Sequence, residues 1–259
     1  MGPQPAESVL VCYGGDGTLL DGIHRLGGAE IPVIGINSGH LGFLTSVPRN
    51  GCIGDVFELI AAGAHNIDLV NPTHYAHVIA QALEDPLPVP VVWNSGGYDR
   101  VETLAALEGK IQIYLPDYKY TDPDTARRYA GAADYPETAR AAIREMVRQT
   151  GPYQLDEAGR MTRGVILRHL LLPGGLNQAK EVMDWVAETF PPHTILFSLM
   201  SQYTPWGKAA DYPPLDRRLR KSEIRAAEAY FTNLGLDGFT QGVEAAQADY
   251  IPTFDLTGV

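Results

Sequence analysis

The sequence is poor in cysteine and in basic residues. Only two cysteines, Cys12 and Cys52, occur in 259 residues, and a pair so far apart makes neither a disulfide framework nor a zinc site. Lysine and arginine number 20 against 31 aspartate and glutamate, so the formal net charge is -11. Nucleic acids are bound by basic surfaces, and this balance therefore argues against a nucleic-acid partner and favours a small-molecule ligand.

Long apolar runs are also missing. No run approaches the roughly 18 apolar residues that cross a bilayer, and the first five residues, MGPQP, lack the basic and apolar regions of a signal peptide. We therefore expect a cytoplasmic protein without a membrane partner. With 45% hydrophobic residues, the chain suits one large α/β domain or two small ones.

After residue 60, short apolar strands alternate with helices. Strands are predicted over residues 66–70, 91–93, 111–115, 165–172 and 194–199, helices over 53–62, 78–83, 101–107, 123–129, 136–149, 182–186 and 222–234, and an exposed excursion over 151–164. This alternation predicts an α/β fold with a parallel sheet, either a partial (β/α) barrel or a doubly wound hybrid.

Polar residues directly after the strands form the first candidate site. In right-handed βαβ units these residues gather on one rim of the sheet. Around the stretch 91–120 they are Asn94, Ser95, Asp117 and Lys119. Asp117 and Lys119 are two apart on a strand, so they point to the same face and can pair with each other.

A glycine-rich turn follows the first apolar strand. Gly14, Gly15, Asp16 and Gly17 lie between this strand and a helical pattern. Glycines here let backbone N–H groups approach a phosphate, and an aspartate among them can accept a proton from a ribose hydroxyl. An ordinary tight turn between strand and helix explains the same residues.

The wider segment resembles the amino-terminal half of NAD kinases, through GGDGTLL and IPVIGINSGHLGFLT, as far as Val47. The resemblance implies that Asp16 is the base that activates the ribose 2'-hydroxyl of NAD. It also implies that Gly14, Gly15 and Gly17 line phosphate groups, with NAD and ATP–magnesium as ligands. It predicts a Rossmann-like βαβ segment at the amino terminus.

The larger part resembles radical SAM proteins of the pyruvate formate-lyase activating type. The similar phrases, which run through about four-fifths of the chain, are GAHNIDLVNPTHY, VVWNSGGYDRVETL, IYLPDYKYTDPDTARRYAGAADYP, GVILRHLLLPGG, SLMSQYTP and ADYIPTFDLTGV. The resemblance implies a partial (β/α) barrel of about six strands that binds S-adenosylmethionine (SAM) beside a [4Fe–4S] cluster. The SAM-facing residues that it implies are Thr73, His74, Asn94, Ser95, Asp117, Lys119, Arg168 and His169.

The sequence departs from this family at the cluster. The family holds its cluster with three cysteines in a CxxxCxxC loop, and here the NAD-kinase-like segment takes the place of that loop, with Cys52 alone near the junction. We interpret the chain as a chimera, with an NAD-kinase-like segment over residues 1–50 and a truncated radical-SAM-like barrel over residues 51–259.

Three functions follow. The first is a degenerate activating-enzyme-like barrel that binds SAM without its own cluster, with a glycyl-radical protein as a partner in the family. The second is phosphoryl transfer to NAD, and the third is a non-catalytic fusion product. Two points stay open: only one of Arg168 and His169 can point into the barrel, and His74 with His77 lacks the further ligands of a metal site.

Overall fold

The structure is a computed structural model that describes residues 63–240 without interruption, together with residues 10–14, 33–37, 56–57 and 60–61. For residues 10–14 and 33–37 the backbone alone is described. Of the glycine-rich turn, Gly14 ends a described strand, whereas Gly15, Asp16 and Gly17 lie outside the described residues. Cys52 and most of the predicted helix 53–62 also lie outside them.

The amino-terminal segment contains two short parallel strands, β1 (Leu10–Gly14) and β2 (Val33–Asn37). Leu10 is opposite Val33 and Gly14 is opposite Asn37. Parallel neighbours need a crossover connection, and the residues of this one lie outside the described part of the chain. The strands of the predicted βαβ segment are thus present.

A second sheet, of seven strands, carries the described chain from residue 67 onward. Its strands are β3 (Ile67–Val70), β4 (Val91–Ser95), β5 (Ile113–Pro116), β6 (Gln154–Leu155), β7 (Met161–Leu170), β8 (Ile195–Met200) and β9 (Gly238–Thr240). The order across the sheet is β3-β4-β5-β7-β8-β9, with every neighbouring pair parallel, and β6 pairs antiparallel with β7.

The parallel strands follow one another in chain order. A doubly wound sheet reverses its strand order at a switch point, and this sheet has no reversal. Right-handed crossovers in one direction place all connecting helices on the same face of the sheet. The predicted α/β fold is therefore confirmed in its barrel-like form, in which the other face of the sheet is left to form a concave surface.

Six α-helices are described. They are α1 (Ala76–Ala82), α2 (Val101–Ala105), α3 (Pro123–Ala130), α4 (Tyr135–Thr150), α5 (Leu176–Thr189) and α6 (Lys221–Leu234), and 3-10 helices cover Pro72–Tyr75 and Gly207–Asp211. On α4, Ala139, Ile143 and Met146 recur at helical spacing and share one buried cluster with Trp93 and Tyr114 of the sheet. Each large side chain buried in this way contributes about 1.5 to 3 kcal/mol to the stability of the fold. The packing of α4 therefore stabilises the face of the sheet that the helices cover.

The stretch 151–164 is mostly exposed, as predicted, but it has a regular structure that was not predicted. It contains β6 and the first residues of β7, which pair as a hairpin. The turn is held by Asp156, whose Oδ1 accepts from the backbone N–H groups of Ala158 and Arg160 at 2.9 and 2.8 Å. Both residues of β6 are exposed, so no apolar alternation in the sequence indicated a strand. β9 was not predicted either, for it has only three residues, all exposed.

Glu223 ties α6 to the turn after β7 and gives the fold a pH dependence. Its carboxylate accepts two hydrogen bonds of 2.8 Å from the Arg217 guanidinium, one of 2.8 Å from Gly174 N and one of 2.7 Å from Arg220 N. The hydrogen bonds from Arg217 lower the pKa of Glu223 from 4.5 to about 2. The stabilisation is complete above the unfolded-state pKa and is lost as the pH falls from there through the folded-state pKa.

We expect Glu223→Gln to lower the free energy of unfolding by about 1 to 2 kcal/mol at neutral pH, a range reduced because solvent screens part of this pair. The difference between wild type and variant should shrink steadily from about pH 5 to about pH 2. Urea titrations across this pH range measure it, with Glu228→Gln on the same helix as the control. A constant difference at every pH would contradict the assignment.

Candidate functional site

Alternate residues of the parallel strands face the concave surface. Register places Asn94 of β4 beside Leu115 of β5, and Arg168 of β7 beside Ser198 of β8, with Asp117 bridging to Arg168. These residues stand at the carboxyl ends of the strands. Neighbouring residues on the same strands face the helices instead, because side chains alternate along a strand.

A connected set of polar side chains, which we name the concave network, occupies this end. It consists of Asp68, Asn94, Asp117, Lys119 and Arg168. Arg168 donates from Nη2 to Asn94 Oδ1 at 2.8 Å, and Asn94 Nδ2 donates to Asp68 Oδ2 at 3.2 Å. Arg168 Nε lies 2.8 Å from Asp117 Oδ1, and Lys119 Nζ lies 3.5 Å from Asp117 Oδ2. The network thus alternates acceptors and donors along the strand ends.

Charges within the concave network are only partly screened by water. The side chains of Arg168 and Asp117 are 24% and 20% exposed, so their ion pair is stronger than a pair on the open surface. Burial raises the pKa of Asp68, and the hydrogen bond from Asn94 and the charge of Arg168 offset part of that rise. Lys119 is 47% exposed, and Asp68 is also exposed on the edge strand β3, so solvent reaches one charge of each sign in the network.

A second polar cluster lies beside the network and is centred on Asp99. This carboxylate is fully buried and accepts from Thr73 Oγ1 at 2.6 Å and from Ser95 Oγ at 2.5 Å. Ser95 Oγ in turn accepts from Gly97 N at 3.2 Å. The sequence indicated Thr73 and Ser95 but not Asp99, which stands just before α2 and carries no sequence signal of burial.

The loops after β4 and β5 are joined by the hydroxyl of Tyr135. This group lies 2.9 Å from Gly96 O and 3.0 Å from Asp117 O, and it accepts from Lys119 N at 2.9 Å. Burial raises the pKa of Tyr135 and keeps its hydroxyl protonated. Since Asp117 and Lys119 belong to the concave network, Tyr135 of α4 positions that network from the helix side.

The remaining predicted residues lie apart from the network. His169 is buried, and its Nδ1 donates to Tyr118 O at 2.7 Å. It follows Arg168 on β7 and therefore faces the helices, which settles which of the two points to the concave surface. Desolvation lowers the pKa of His169 and keeps the ring neutral. His74 is exposed in the 3-10 helix before α1.

A cavity of about 500 Å³ lies on the same concave face and extends from the concave network toward the amino ends of the strands. Its floor consists of Val92, Ile113, Leu115 and Ile166, and Asp68 is shared between this cavity and the concave network. Neither the cavity nor the position of Asp68 was predicted. The shape of the cavity depends on how the sheet curves, which the order of strands in the sequence does not reveal.

Over the described residues, no group of three or more His, Cys, Asp or Glu side chains is placed to hold a metal ion. Within the same part of the chain, no helix has the length and hydropathy of a membrane span.

Comparison with known proteins finds NAD kinases among the relatives of this chain. Residues 6–64 match the profile of the ATP-NAD kinase N-terminal domain, so the similarity continues beyond Val47. An NAD kinase of Syntrophobacter fumaroxidans is 31% identical over 157 residues, which cover 54% of this chain and 52% of that protein. The amino-terminal segment is therefore NAD-kinase-like.

Two other proteins are similar to parts of this chain. An uncharacterized protein of Methanocaldococcus jannaschii is 29% identical over 150 residues, which cover 58% of this chain and 40% of that protein. The chain thus spans no more than about half the length of these two curated relatives. A solved domain of a pyruvate-formate lyase-activating enzyme from Bacteroides vulgatus superposes with a TM-score of 0.47 at 14% identity, covering 68% of this chain and 98% of that domain. The chain combines an NAD-kinase-like amino-terminal segment with a barrel-like α/β part.

Proposed function

We propose that residues 51–259 form a SAM-binding barrel of the radical SAM type that lacks its own iron–sulfur cluster. The observation that carries this proposal is the concave network at the carboxyl ends of parallel strands, the edge at which barrels of this kind bind ligands. The network presents an amide and charges of both signs within one connected set. SAM carries an ammonium group, a carboxylate and two ribose hydroxyls, which need partners of these kinds.

The residues have distinct roles in this proposal. Asp117 accepts hydrogen bonds from the ammonium group, and Lys119 pairs with the carboxylate. Arg168 holds Asp117 and Asn94 in position through its two contacts of 2.8 Å. Thr73 and Ser95 shape the neighbouring wall, because their hydroxyls are already bonded to Asp99. We assign no ligand contact to His169, since its ring faces the helices.

An iron–sulfur cluster does not fit the residues of this chain. The family's cluster needs three thiolates, and the sequence has two cysteines, neither of them between residues 63 and 240. We therefore derive no radical step, and we propose binding of SAM without its reductive cleavage. We include a glycyl-radical protein, the partner that the resemblance implies, as a binding partner of this barrel and not as a protein that it activates.

A second function is favoured by the match of residues 6–64 to the ATP-NAD kinase N-terminal domain. In this alternative Asp16 is the base for the ribose 2'-hydroxyl of NAD, and Gly14, Gly15 and Gly17 line the phosphates of NAD or of magnesium-bound ATP. Gly14 stands at the carboxyl end of β1, where a phosphate-binding turn begins in such βαβ units. A fusion product without catalytic activity is the third possibility.

Thermal melts of the purified chain alone, with SAM and with NAD distinguish these functions. We expect SAM at about one hundred times its dissociation constant to stabilise the fold by about 2.7 kcal/mol, or roughly 5 to 10 °C. Asp117→Asn should abolish this shift, whereas Asp124→Asn in the exposed first turn of α3 should leave it intact. A shift with NAD alone would favour the kinase function, and no shift with either ligand would favour the fusion product.

A further inference from the structure

The cavity that extends toward the amino ends of the strands is built differently from the concave network. In a flat sheet β3 and β7 would be three strand spacings apart, or roughly 14 Å. Yet Arg160, in the hairpin between β6 and β7, has its Nη1 2.8 Å from His65 Nε2, just before β3. The hairpin therefore passes beneath the curved sheet and closes the amino end of its concave face.

The walls of this cavity are largely apolar. Val92, Ile113, Leu115 and Ile166 project from four positions on the strands, and Met161 of the hairpin lies opposite them. Ligand cavities of small-molecule binding proteins have about 300 to 1,000 Å³ and similar linings, so a volume of about 500 Å³ suits a compact organic molecule. An apolar body of four to eight carbons is of the right order.

The acidic and basic side chains that line the cavity leave one negative charge without a paired cation. Asp156 is paired with Arg160 at 2.8 Å and also accepts from two backbone N–H groups. Asp68 has a different environment, because its Oδ2 accepts a hydrogen bond of 3.2 Å from Asn94 Nδ2. Among the described ion pairs none involves Asp68, and Arg168 donates to the other end of the Asn94 amide. One carboxylate with spare acceptor capacity thus faces an apolar floor.

We propose that this cavity binds a small organic ammonium ion, with its N–H groups donating to Asp68 and its aliphatic part packed on Val92, Ile113, Leu115 and Ile166. The ammonium supplies the positive charge that this carboxylate lacks. A carboxylate ligand would meet repulsion from Asp68. A neutral alcohol could donate one hydrogen bond to this carboxylate but would lack the charge–charge attraction of an ammonium ion. This site shares Asp68 with the concave network, but it uses none of Asp117, Lys119 and Arg168, to which the proposed SAM site gives its main roles.

Isothermal titration calorimetry with hexylammonium, hexanol and hexanoate tests the selectivity. We expect hexylammonium to bind at least tenfold more tightly than hexanol, and hexanoate to give no heat. Hexanol or hexanoate binding as tightly as hexylammonium would overturn the proposal, as would the absence of binding by hexylammonium at its highest soluble concentration.

Two variants locate the site, and a third is the control. Asp68→Asn should weaken hexylammonium at least tenfold, and Ile166→Phe, which fills the cavity without touching the carboxylate, should do the same. Glu157→Gln removes an equal charge from the exposed hairpin turn and should change the affinity less than twofold. Thermal melts confirm that the variants are folded. Unchanged affinity in both Asp68→Asn and Ile166→Phe would overturn the proposal.

A competition titration separates this inference from the proposed function. Saturating SAM should leave the affinity for hexylammonium unchanged within twofold if the two sites are distinct. Displacement of hexylammonium by SAM would overturn the separate site. If SAM does not bind at all, the proposed function fails, but the affinity for hexylammonium can still be measured by calorimetry and still tests the amine site.

Discussion

Replacing Gly97 with alanine is expected to be the most destabilising single change at the candidate site. Gly97 has φ +76°, and an added Cβ would lie 2.0 Å from the backbone oxygen of Asp117. A side chain in this left-handed region costs about 1 to 2 kcal/mol, and forcing apart two packed backbones costs roughly 1 to 3 kcal/mol more. We therefore expect the free energy of unfolding to fall by about 3 kcal/mol or more.

Gly131 provides the matched control for this change. It has φ +70° at the carboxyl end of α3, and nothing lies within 4 Å of an added Cβ. Gly131→Ala therefore carries the conformational cost without the steric one, about 1 kcal/mol. Urea titrations of both variants measure the difference. If the two variants were equally stable, the backbone of Gly97 could not lie as close to the Asp117 carbonyl as it does in the structure.

Gly97→Ala should also disturb ligand binding. Its close neighbour, the Asp117 carbonyl, is one of the groups joined by the Tyr135 hydroxyl. Displacing this carbonyl moves the adjoining carboxylate of the concave network. We expect the variant, where folded, to show less than half of the wild-type melting shift with SAM, whereas Gly131→Ala should retain it.

Replacing Arg168 with alanine is expected to have the second-largest effect. The change leaves Asp117 without its 2.8 Å partner and leaves Asn94 Oδ1 without its donor. Removing one member of a buried ion pair costs roughly 3 to 5 kcal/mol. Because these side chains are about one-fifth to one-quarter exposed, we expect a loss of about 2 to 3 kcal/mol.

Two further arginine variants sharpen this test. Arg168→Lys keeps the charge but not the planar guanidinium that reaches both Asp117 and Asn94, so its stability should be intermediate. Arg127→Ala removes an arginine from an ion pair with Asp124 whose side chains are both more than half exposed, and we expect it to cost less than about 1 kcal/mol. An Arg168→Ala variant as stable as Arg127→Ala would show that the concave network does not hold the strand ends together.

The strands and the rim were largely predictable because both follow from periodicity. Short apolar runs predicted β3, β4, β5, β7 and β8, and the alternation of helices with strands predicted a parallel sheet. Polar residues directly after those strands included Asn94, Asp117 and Lys119, which the register does bring together. Only the register could show that Arg168, and not His169, joins them.

Other parts of the site depend on contacts between residues that are distant in the sequence, and local sequence patterns do not predict such contacts. The buried carboxylate of Asp99 is satisfied by Thr73, in the 3-10 helix after β3, and by Ser95, the last residue of β4, which supply its hydrogen bonds. Asp68 belongs to the site because β3 pairs with β4 and brings its carboxylate to the Asn94 amide. The hairpin itself has a strand of two exposed residues, which pairs through its backbone alone.

The chain-ordered arrangement of strands also bears on how such a sequence could arise. Each parallel strand pairs only with the strand that precedes or follows it among the parallel strands of the chain. The sheet is therefore modular. Exchanging the segment that precedes β3 can affect only the free edge of β3, and it leaves the pairings from β3 to β9 as they are. A junction anywhere before β3 falls outside all of these pairings. Replacing the segment before β3 would therefore leave the strand pairings of this sheet intact. In a sheet whose strands are not in chain order, the same replacement would remove strands from between their neighbours.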